Sequence, residues 1–451
     1  MEKCDVLLTY EIKNREIENL CLIKRELERR GYNVKMCMQY DTYFNVPEPI
    51  EAKVIVIPAY YRDRARFYTS SHLVSTKKIV NMRWEQVVSN AVNAKADSLY
   101  AIKEWGRGAV HISWGQDSFN TMVKEWGVPE DHVKICGHVT LDYMRRDLVK
   151  YYYSREELFK KYRLPANGKV HLFISSFSLS GMHKRVIKHT HTKKYSYLTE
   201  QYNKAAAASQ KEILKWFEDI LNETADDIIV YRPHPEEKNN ALLLDLQKKQ
   251  PDRFFVIGDE TIKQWILACD RLYTWASTSI AEVFASGKGC AVLRPVEVPR
   301  DNEMTIYNNA STIKTYADFK KEFLADGEQS FPIEESIIRS YYDIDENKYS
   351  FERVCDVIED VLKDDKYTLD PPLSNPFGKS PFNKYKVENF IKRKLAKSKA
   401  MEKVYKKDMF PNSKFRENLD DVFYVKNKLK NNHVTDEEID AIVARIDKAL
   451  S

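Results

Sequence analysis

Asp227-Ile228-Ile229-Val230-Tyr231 runs without a break into Arg232-Pro233-His234-Pro235-Glu236-Glu237. The first segment reads as a strand, apolar after its leading Asp, as expected in a sheet covered on both faces. It ends in an Arg, a His and two carboxylates set around two prolines. Each proline fixes its own φ, so Arg232 and His234 are displayed on a stiff loop directly after a strand. Both side chains supply hydrogen-bond donors for a phosphate or carboxylate. The plainer alternative is a polar turn with a solvated Arg and His.

Outward from this stretch the same alternation recurs. Residues 154–162 have helical spacing, Val170–Ser175 reads as a strand, and 210–221 as a helix. Downstream, 254–257, 271–274 and 290–293 read as strands, with helices over 261–267 and 279–286. Phe351–Leu362 is amphipathic and is expected to close this unit. In the first half, strands are expected at 5–9, 33–38, 54–58, 78–82 and 109–113. Between the first two, Ile17, Leu20, Ile23 and Leu27 mark one face of a helix over 16–30 that stops at Gly31. Strands alternating with helices make βαβ units and parallel sheets. The expected architecture is therefore α/β, with two Rossmann-like, doubly wound domains facing a cleft. Their expected bounds are 1–150 and 151–368, followed by a basic helical extension over 369–451 after a Pro-rich join at 370–381.

Open parallel sheets bind ligands beyond the carboxyl ends of their strands. Phe173-Ile174-Ser175-Ser176 ends a strand in hydroxyls, making Ser175 and Ser176 candidate phosphate ligands. Tyr273-Thr274-Trp275-Ala276-Ser277-Thr278-Ser279 runs from a strand to a helix start. Ser277, Thr278 and Ser279 there suit an anion. Ser279 and Glu282 also have capping-box spacing, a structural device, and Glu282 is alternatively placed to meet a ribose hydroxyl. In the first half, Asn81-Met82-Arg83-Trp84-Glu85-Gln86 puts Glu85 just past a strand. It is either a general base for an acceptor hydroxyl or an ordinary helix-start Glu. His111 either lines the cleft or, in the preferred reading, is a strand histidine with a satisfied hydrogen bond. His183, His189 and His191, among Lys184, Arg185 and Lys188, lack an acidic or cysteine partner at ligand spacing, so they read as a basic loop over the cleft and no metal is expected. Neither a Walker loop nor a GxGxxG is present.

The chain has 451 residues, 43% hydrophobic and 31% charged, as in a multi-domain globular protein. Its seven cysteines contain no CxxC pair, which argues for a reducing compartment and against a structural zinc. No apolar run reaches the roughly 20 residues that span a bilayer, and Met1–Tyr10 is not a signal peptide. The net charge of +5 conceals a local excess: eleven Lys or Arg against two Glu between Lys379 and Lys407. Val387, Phe390, Ile391, Leu395, Met401, Val404 and Tyr405 recur among them at helical intervals. Such a helix suits an anionic membrane surface; a helix packed on the protein is the alternative. No nucleic-acid-binding signature accompanies the charge.

Taken together, Asn81–Gln86, His111–Gly115, Gly127–Asp142, Ser154–Ser178, Arg232–Pro235 and Tyr273–Lys288 resemble the GT-B glycosyltransferase superfamily, specifically bacterial surface-carbohydrate biosynthesis proteins of capsule, lipopolysaccharide or teichoic-acid type. Arg-Pro-His-Pro is similar to the His-Pro motif of bacterial sialyl- and Kdo-transferases and teichoic-acid glycerophosphotransferases. The resemblance covers roughly residues 1–365. It implies a nucleotide-activated donor, CMP-linked in one version, on the second domain. Arg232 and His234 would lie near the leaving phosphate, Ser277, Thr278 and Ser279 would cradle it, and Glu282 would face the ribose. It also implies a glycan or lipid-linked glycan acceptor on the first domain with Glu85 as base, and neither cofactor nor metal. The implied place is cytoplasmic, peripheral on the inner face of the cell membrane through 384–407. A CDP-glycerol or CDP-ribitol polyol-phosphate transferase is a second reading, although Thr274-Trp275-Ala276 stands where teichoic-acid transferases show an Asp. A nucleotide-sugar 2-epimerase and a non-catalytic partner in a capsule assembly complex are two more.

Overall fold

A computed structural model describes residues 2–38, 50–58, 75–76, 78–91, 101–165, 168–177, 196–235, 237, 241–369, 373–374, 384–407, 409–410 and 413–451. The chain forms two compact units. The first comprises 1–86, 94–137 and 345–447, and the second 87–93, 138–344 and 448–451.

In the first unit the strands are β1 (Glu2–Tyr10), β2 (Val34–Met38), β3 (Ile50–Ile57), β4 (Ser75–Thr76), β5 (Ile79–Asn81), β6 (Val110–Ser113) and β7 (Val133–Ile135). Six of them make a parallel sheet in the order β2-β1-β3-β5-β6-β7. The apolar run Val54–Ile57 is buried on both faces, as its composition requires. Helix Lys13–Arg29 buries Ile17, Leu20, Ile23 and Leu27, the expected face.

Helix Ser350–Lys363 corrects an expectation. It lies in the first unit and does not close the second. Arg30 pairs with Asp356 at 2.9 Å and Glu359 at 2.7 Å, the Tyr32 hydroxyl donates to Glu359, and Cys355 Sγ lies 3.7 Å from the Ile23 carbonyl. Periodicity shows that a helix has an apolar face; here the partner of that face is helix Lys13–Arg29.

The second unit holds β8 (Val170–Ile174), β9 (Ile228–Arg232), β10 (Phe254–Val256), β11 (Arg271–Thr274), β12 (Ala291–Leu293) and β13 (Thr312–Ile313), all parallel, in the order β10-β9-β8-β11-β12-β13. Phe173, Phe217, Tyr231, Phe254, Trp275 and Phe319 dominate its core. Helix Ser196–Glu223 extends well upstream of the expected 210, since Ala205 and Ala206 continue its buried face. Ser154 and Glu157 close a capping box at helix Arg155–Tyr162. Both sheets are doubly wound: the chain leaves β1 in one direction and β3 in the other, and likewise at β8 and β11. Back in the first unit, a two-residue strand β14 (Leu373–Ser374) pairs with β4.

The extension forms helices Lys384–Lys397, Lys399–Lys406, Lys414–Asn432 and Asp436–Leu450. Ala396, Leu419, Val422 and Phe423 make a small core against which Leu395, Met401, Val404 and Tyr405 pack. The C-terminal half of the apolar stripe therefore faces other helices, as in the alternative weighed for it. Lys13 ties this part to the first unit: its amide donates to Asn432 Oδ1 and its Nζ pairs with Glu438 at 2.6 Å. Among the described residues no helix is long and apolar enough to cross a membrane.

Candidate functional site

Strand register brings the second unit's candidates together. Ile174 on β8 pairs with Arg232 on β9 and with Thr274 on β11, so three neighbouring strands end level. Ser175–Ser176, Pro233–His234 and Trp275–Ser279 consequently emerge side by side at the carboxyl edge. The boundary between β8 and β11, where the winding reverses, is where open α/β sheets hold ligands.

The His-Pro loop is fastened from behind by Glu237. Its carboxylate accepts from the amide of His234 (3.1 Å), the hydroxyls of Ser175 and Tyr231 (2.5 and 2.7 Å) and Gln210 Nε2 (2.7 Å). The amide of Glu237 returns a bond to the His234 carbonyl at 2.8 Å. Tyr231 is fully buried, and burial, aided by this carboxylate, pushes its phenol well above the usual range. Glu237 and Gln210 were not singled out from sequence; the only signal was the second carboxylate of the Pro-rich loop. Ser175 is reassigned by the same bonds. It is buried, and its hydroxyl donates to Glu237, so it helps to position the loop. Ser176 Oγ accepts from the Ala276 amide at 3.0 Å, tying the β8 loop to the β11 loop while its own O–H remains a donor.

Arg232 folds sideways. Its guanidinium donates to the carbonyls of Pro233 (3.1 Å) and Glu260 (2.7 Å), bracing the loop after β9 against the loop after β10. Burial lowers its pKa from the ordinary arginine value. His234 is half-buried at the front of the loop.

The Ser277–Ser279 turn is built from within. Thr274 Oγ1 accepts from the Ser277 amide, Ser277 Oγ accepts from the Ser279 amide, and the Ser277 carbonyl accepts from the Tyr307 hydroxyl. The helix that follows, Ile280–Ala285, has six residues, and the Ser279 side chain makes no capping bond. The capping-box alternative is thus not what this turn uses, and the helix is too short to lend much dipole; what the turn presents is hydroxyls. Thr278 is exposed, and Ser277 and Ser279 are half-buried. Burial pushes the Glu282 carboxyl up to about 7, with the Lys263 ammonium acting the other way.

One strand further, sequence reasoning missed Arg294, just after β12. It is buried, paired with Glu303 at 2.9 Å, and its guanidinium carbon lies 5.3 Å from the Trp275 ring and 5.4 Å from that of Tyr307. Through Tyr307 it supports the Ser277 carbonyl.

In the first unit, Asn81–Gln86 is mostly scaffold. Asn81 Nδ2 lies 3.0 Å from His111 Nδ1, whose other nitrogen meets the Gly106 carbonyl, and burial holds that imidazole neutral with a pKa of about 3. The expected reading of His111 as a satisfied strand histidine describes this geometry. Arg83, left-handed at φ 46°, lies buried over the Trp126 ring. Gln86 joins the Arg83 and Ile112 carbonyls to the Trp114 amide and the Ser118 hydroxyl. Glu85 alone of these six is exposed, and its carboxylate pairs with Arg15 at 2.6 Å. Arg15 also holds Glu16, fully buried, whose carboxyl burial pushes up to about 7.

The basic loop with His183, His189 and His191 lies outside the described residues, as do Glu236 and most of the join at 370–381. Among the described residues, no three His, Cys, Asp or Glu side chains group as metal ligands.

No protein-family model and no curated protein matches the sequence. Solved structures do. A variant of the wall teichoic acid polymerase TagF has 14% identity and a TM-score of 0.50 over 80% of this chain and 89% of that one. The UDP-GlcNAc 2-epimerase of Neisseria meningitidis, bound to UDP-GlcNAc, has 11% identity and a TM-score of 0.47 over 81% and 100%. S. aureus MnaA with UDP has 14% identity and a TM-score of 0.46 over 80% and 97%. At such identities the likeness is one of fold, shown by the TagF structure. The chain has the GT-B class of fold, two Rossmann-like units each with a six-stranded parallel sheet.

Proposed function

We propose that the chain is a GT-B glycosyltransferase that moves a sugar from a nucleotide-activated donor to a cell-surface polysaccharide or lipid-linked glycan. The observation that carries this is the level ending of β9, β8 and β11, which sets an imidazole and a row of hydroxyls at one sheet edge. In this reading the second unit holds the donor and the first the acceptor. Hydroxyls of Ser176, Ser277, Thr278 and Ser279 grip the diphosphate or phosphoester, and Arg232 keeps the His-Pro loop in place beside them. His234 donates a hydrogen bond to the leaving phosphate as the bond from the anomeric carbon to the phosphate oxygen breaks. Preorganised donors aimed at developing charge are the main source of such rate enhancement, and no metal is required. Glu282 meets the ribose. An acceptor hydroxyl attacks the anomeric carbon and gives its proton to Glu85, which must first share its carboxylate with Arg15. The enzyme works in the cytoplasm, peripheral on the inner face of the membrane, which the basic extension contacts; neither cofactor nor nucleic acid is involved.

The test is donor turnover. Purified full-length protein is given CMP-, UDP-, GDP- and dTDP-activated sugars with a lipid-linked glycan extract, and released nucleotide is measured. The reading requires turnover with one nucleotide class and its loss in His234→Ala and Glu85→Ala. Turnover with CDP-glycerol or CDP-ribitol alone replaces the sugar with a polyol phosphate. If both variants sustain glycan synthesis in cells while deletion of 379–451 abolishes it, the protein is a non-catalytic partner.

A further inference from the structure

Among the described residues, nine large apolar side chains are exposed by 40% or more, and five of them fall between 390 and 415. They make two sets. Phe390 (58%) and Ile391 (51%) sit on helix Lys384–Lys397. Met409 (42%) and Phe410 (59%) follow helix Lys399–Lys406, and Phe415 (44%) lies in the first turn of helix Lys414–Asn432.

Bonds among the described residues hold this apolar tip. Phe410 has a left-handed backbone, φ 60°, which is uncommon for any residue but glycine and a few polar ones. The amide and hydroxyl of Ser413 both donate to the Phe410 carbonyl, and Ser413 Oγ accepts from the Arg416 amide to cap the next helix. Phe415 meets Phe410 edge to face at 6.4 Å. Behind the tip, the Arg416 guanidinium donates to the Tyr405 carbonyl, lies 4.7 Å from the Tyr405 ring and pairs with Asp420. Tyr405 in turn stacks on Phe423. The exposed aromatics are therefore mounted on the small core of the extension. Lys403, Lys406, Lys407 and Lys414 are exposed around them, Lys406 paired with Glu402.

We propose that Met409, Phe410 and Phe415 form an interfacial anchor: these three side chains enter the headgroup–acyl boundary of an anionic bilayer while the neighbouring lysines meet lipid phosphates. This rests on the membrane contact proposed above and relocates its apolar part, because Leu395, Met401, Val404 and Tyr405 are taken up by the extension's core. A lipid surface fits better than nucleic acid, since Met409 and Ile391 find no complement on a polyanion, whereas apolar side chains beside lysines match an anionic interface. Backbone strain is held where the tip points outward, as at other functional sites.

The experiment is sedimentation of the full-length protein with vesicles of phosphatidylcholine, alone or with 30–40 mole per cent (roughly the anionic fraction needed for a strong surface potential) phosphatidylglycerol. The informative variant is Phe410→Asn. Asn accepts the left-handed backbone better than Phe, so thermal stability should hold or rise while partitioning into anionic vesicles falls about tenfold. Lys407→Glu should weaken binding at low salt and leave little effect at high salt. Wild type that ignores anionic vesicles overturns both the anchor and the membrane contact. Wild type that binds while Phe410→Asn binds equally well overturns the anchor alone. Phe390→Ser with Ile391→Ser then shows whether membrane contact survives through the other set. Equal binding to a DNA duplex, or a dimer that Phe410→Asn dissolves without any vesicle binding, also overturns the anchor.

Discussion

Replacing Glu237 by Ala tests whether the His-Pro loop is held from behind. In the wild type its carboxylate accepts from the His234 amide, Ser175 Oγ, the Tyr231 hydroxyl and Gln210 Nε2. When it is removed, Tyr231 can turn its proton to Ser175 Oγ, 3.0 Å away, and Gln210 keeps its 3.1 Å bond to the Tyr231 oxygen. The Ser175 hydroxyl, one Gln210 N–H and the His234 amide each lose an acceptor. The first two are buried. A buried donor left unsatisfied costs about 1–3 kcal/mol, and the His234 amide can turn to water. The expected loss is therefore up to about 2–6 kcal/mol for the two buried donors, or roughly 4–24 °C in the melting of a unit of this size. Donor affinity should fall with it, because His234 loses its anchor. Gln210→Leu removes the bonds to Tyr231 and Glu237 but leaves the carboxylate its other three donors, and should cost less, about 1–2 kcal/mol. Urea unfolding with nucleotide titration reads both quantities. If Glu237→Ala melts within 1 °C of wild type (about a few tenths of a kcal/mol) and binds nucleotide unchanged, the carboxylate does not organise this loop.

His234→Ala, by contrast, should leave the melting temperature nearly unchanged while lowering donor turnover about 100-fold or more, measured as released nucleotide. The pH dependence of stability has a defined sign. Glu16 and Glu282 have folded pKa values raised by burial to about 7, so their contribution is fully present below about pH 4.5 and is lost as pH rises through 7. Each accounts for up to about 3 kcal/mol, and Glu282→Gln should flatten the decline in chemical stability between pH 5 and 8. Gly289 has no room for a side chain: a Cβ there would lie 1.7 Å from the Gln329 carbonyl oxygen. Gly289→Ala should therefore destabilise the second unit by about 1–3 kcal/mol or more, read as a lower denaturant midpoint.

Sequence carried the sheets well where strands are apolar on both faces, as at Val54–Ile57, and where turns are punctuated, as at Arg232–Pro235. It missed β7 and β13, which have three and two residues and lack fully buried strand patterns. Helices Ala241–Lys249 and Tyr316–Leu324 were also passed over. One larger error and one choice that stayed open share a cause. Helix Ser350–Lys363 and the stripe Leu395–Tyr405 both show an apolar face, but a period says only that a face is buried and not against what. The candidate site was half legible. Positions just after strands could be found from the alternation alone, and their register then brought three of them together. The roles within the site depend on bonds across long sequence separations, such as Ser175 to Glu237 and Arg232 to the Glu260 carbonyl. Such bonds leave no mark in either segment.

At the centre of the proposed function, the carboxyl edge of the second sheet binds a nucleotide donor. Thermal unfolding of the wild type with CMP, CDP, UDP, GDP, dTDP and ADP tests it most directly. A ligand at about 100 times its Kd adds about 2.7 kcal/mol, enough to raise the melting temperature by several degrees. One nucleotide class should stabilise the wild type selectively and do so much less in Glu237→Ala; stabilisation by none of the six would contradict donor binding at this edge.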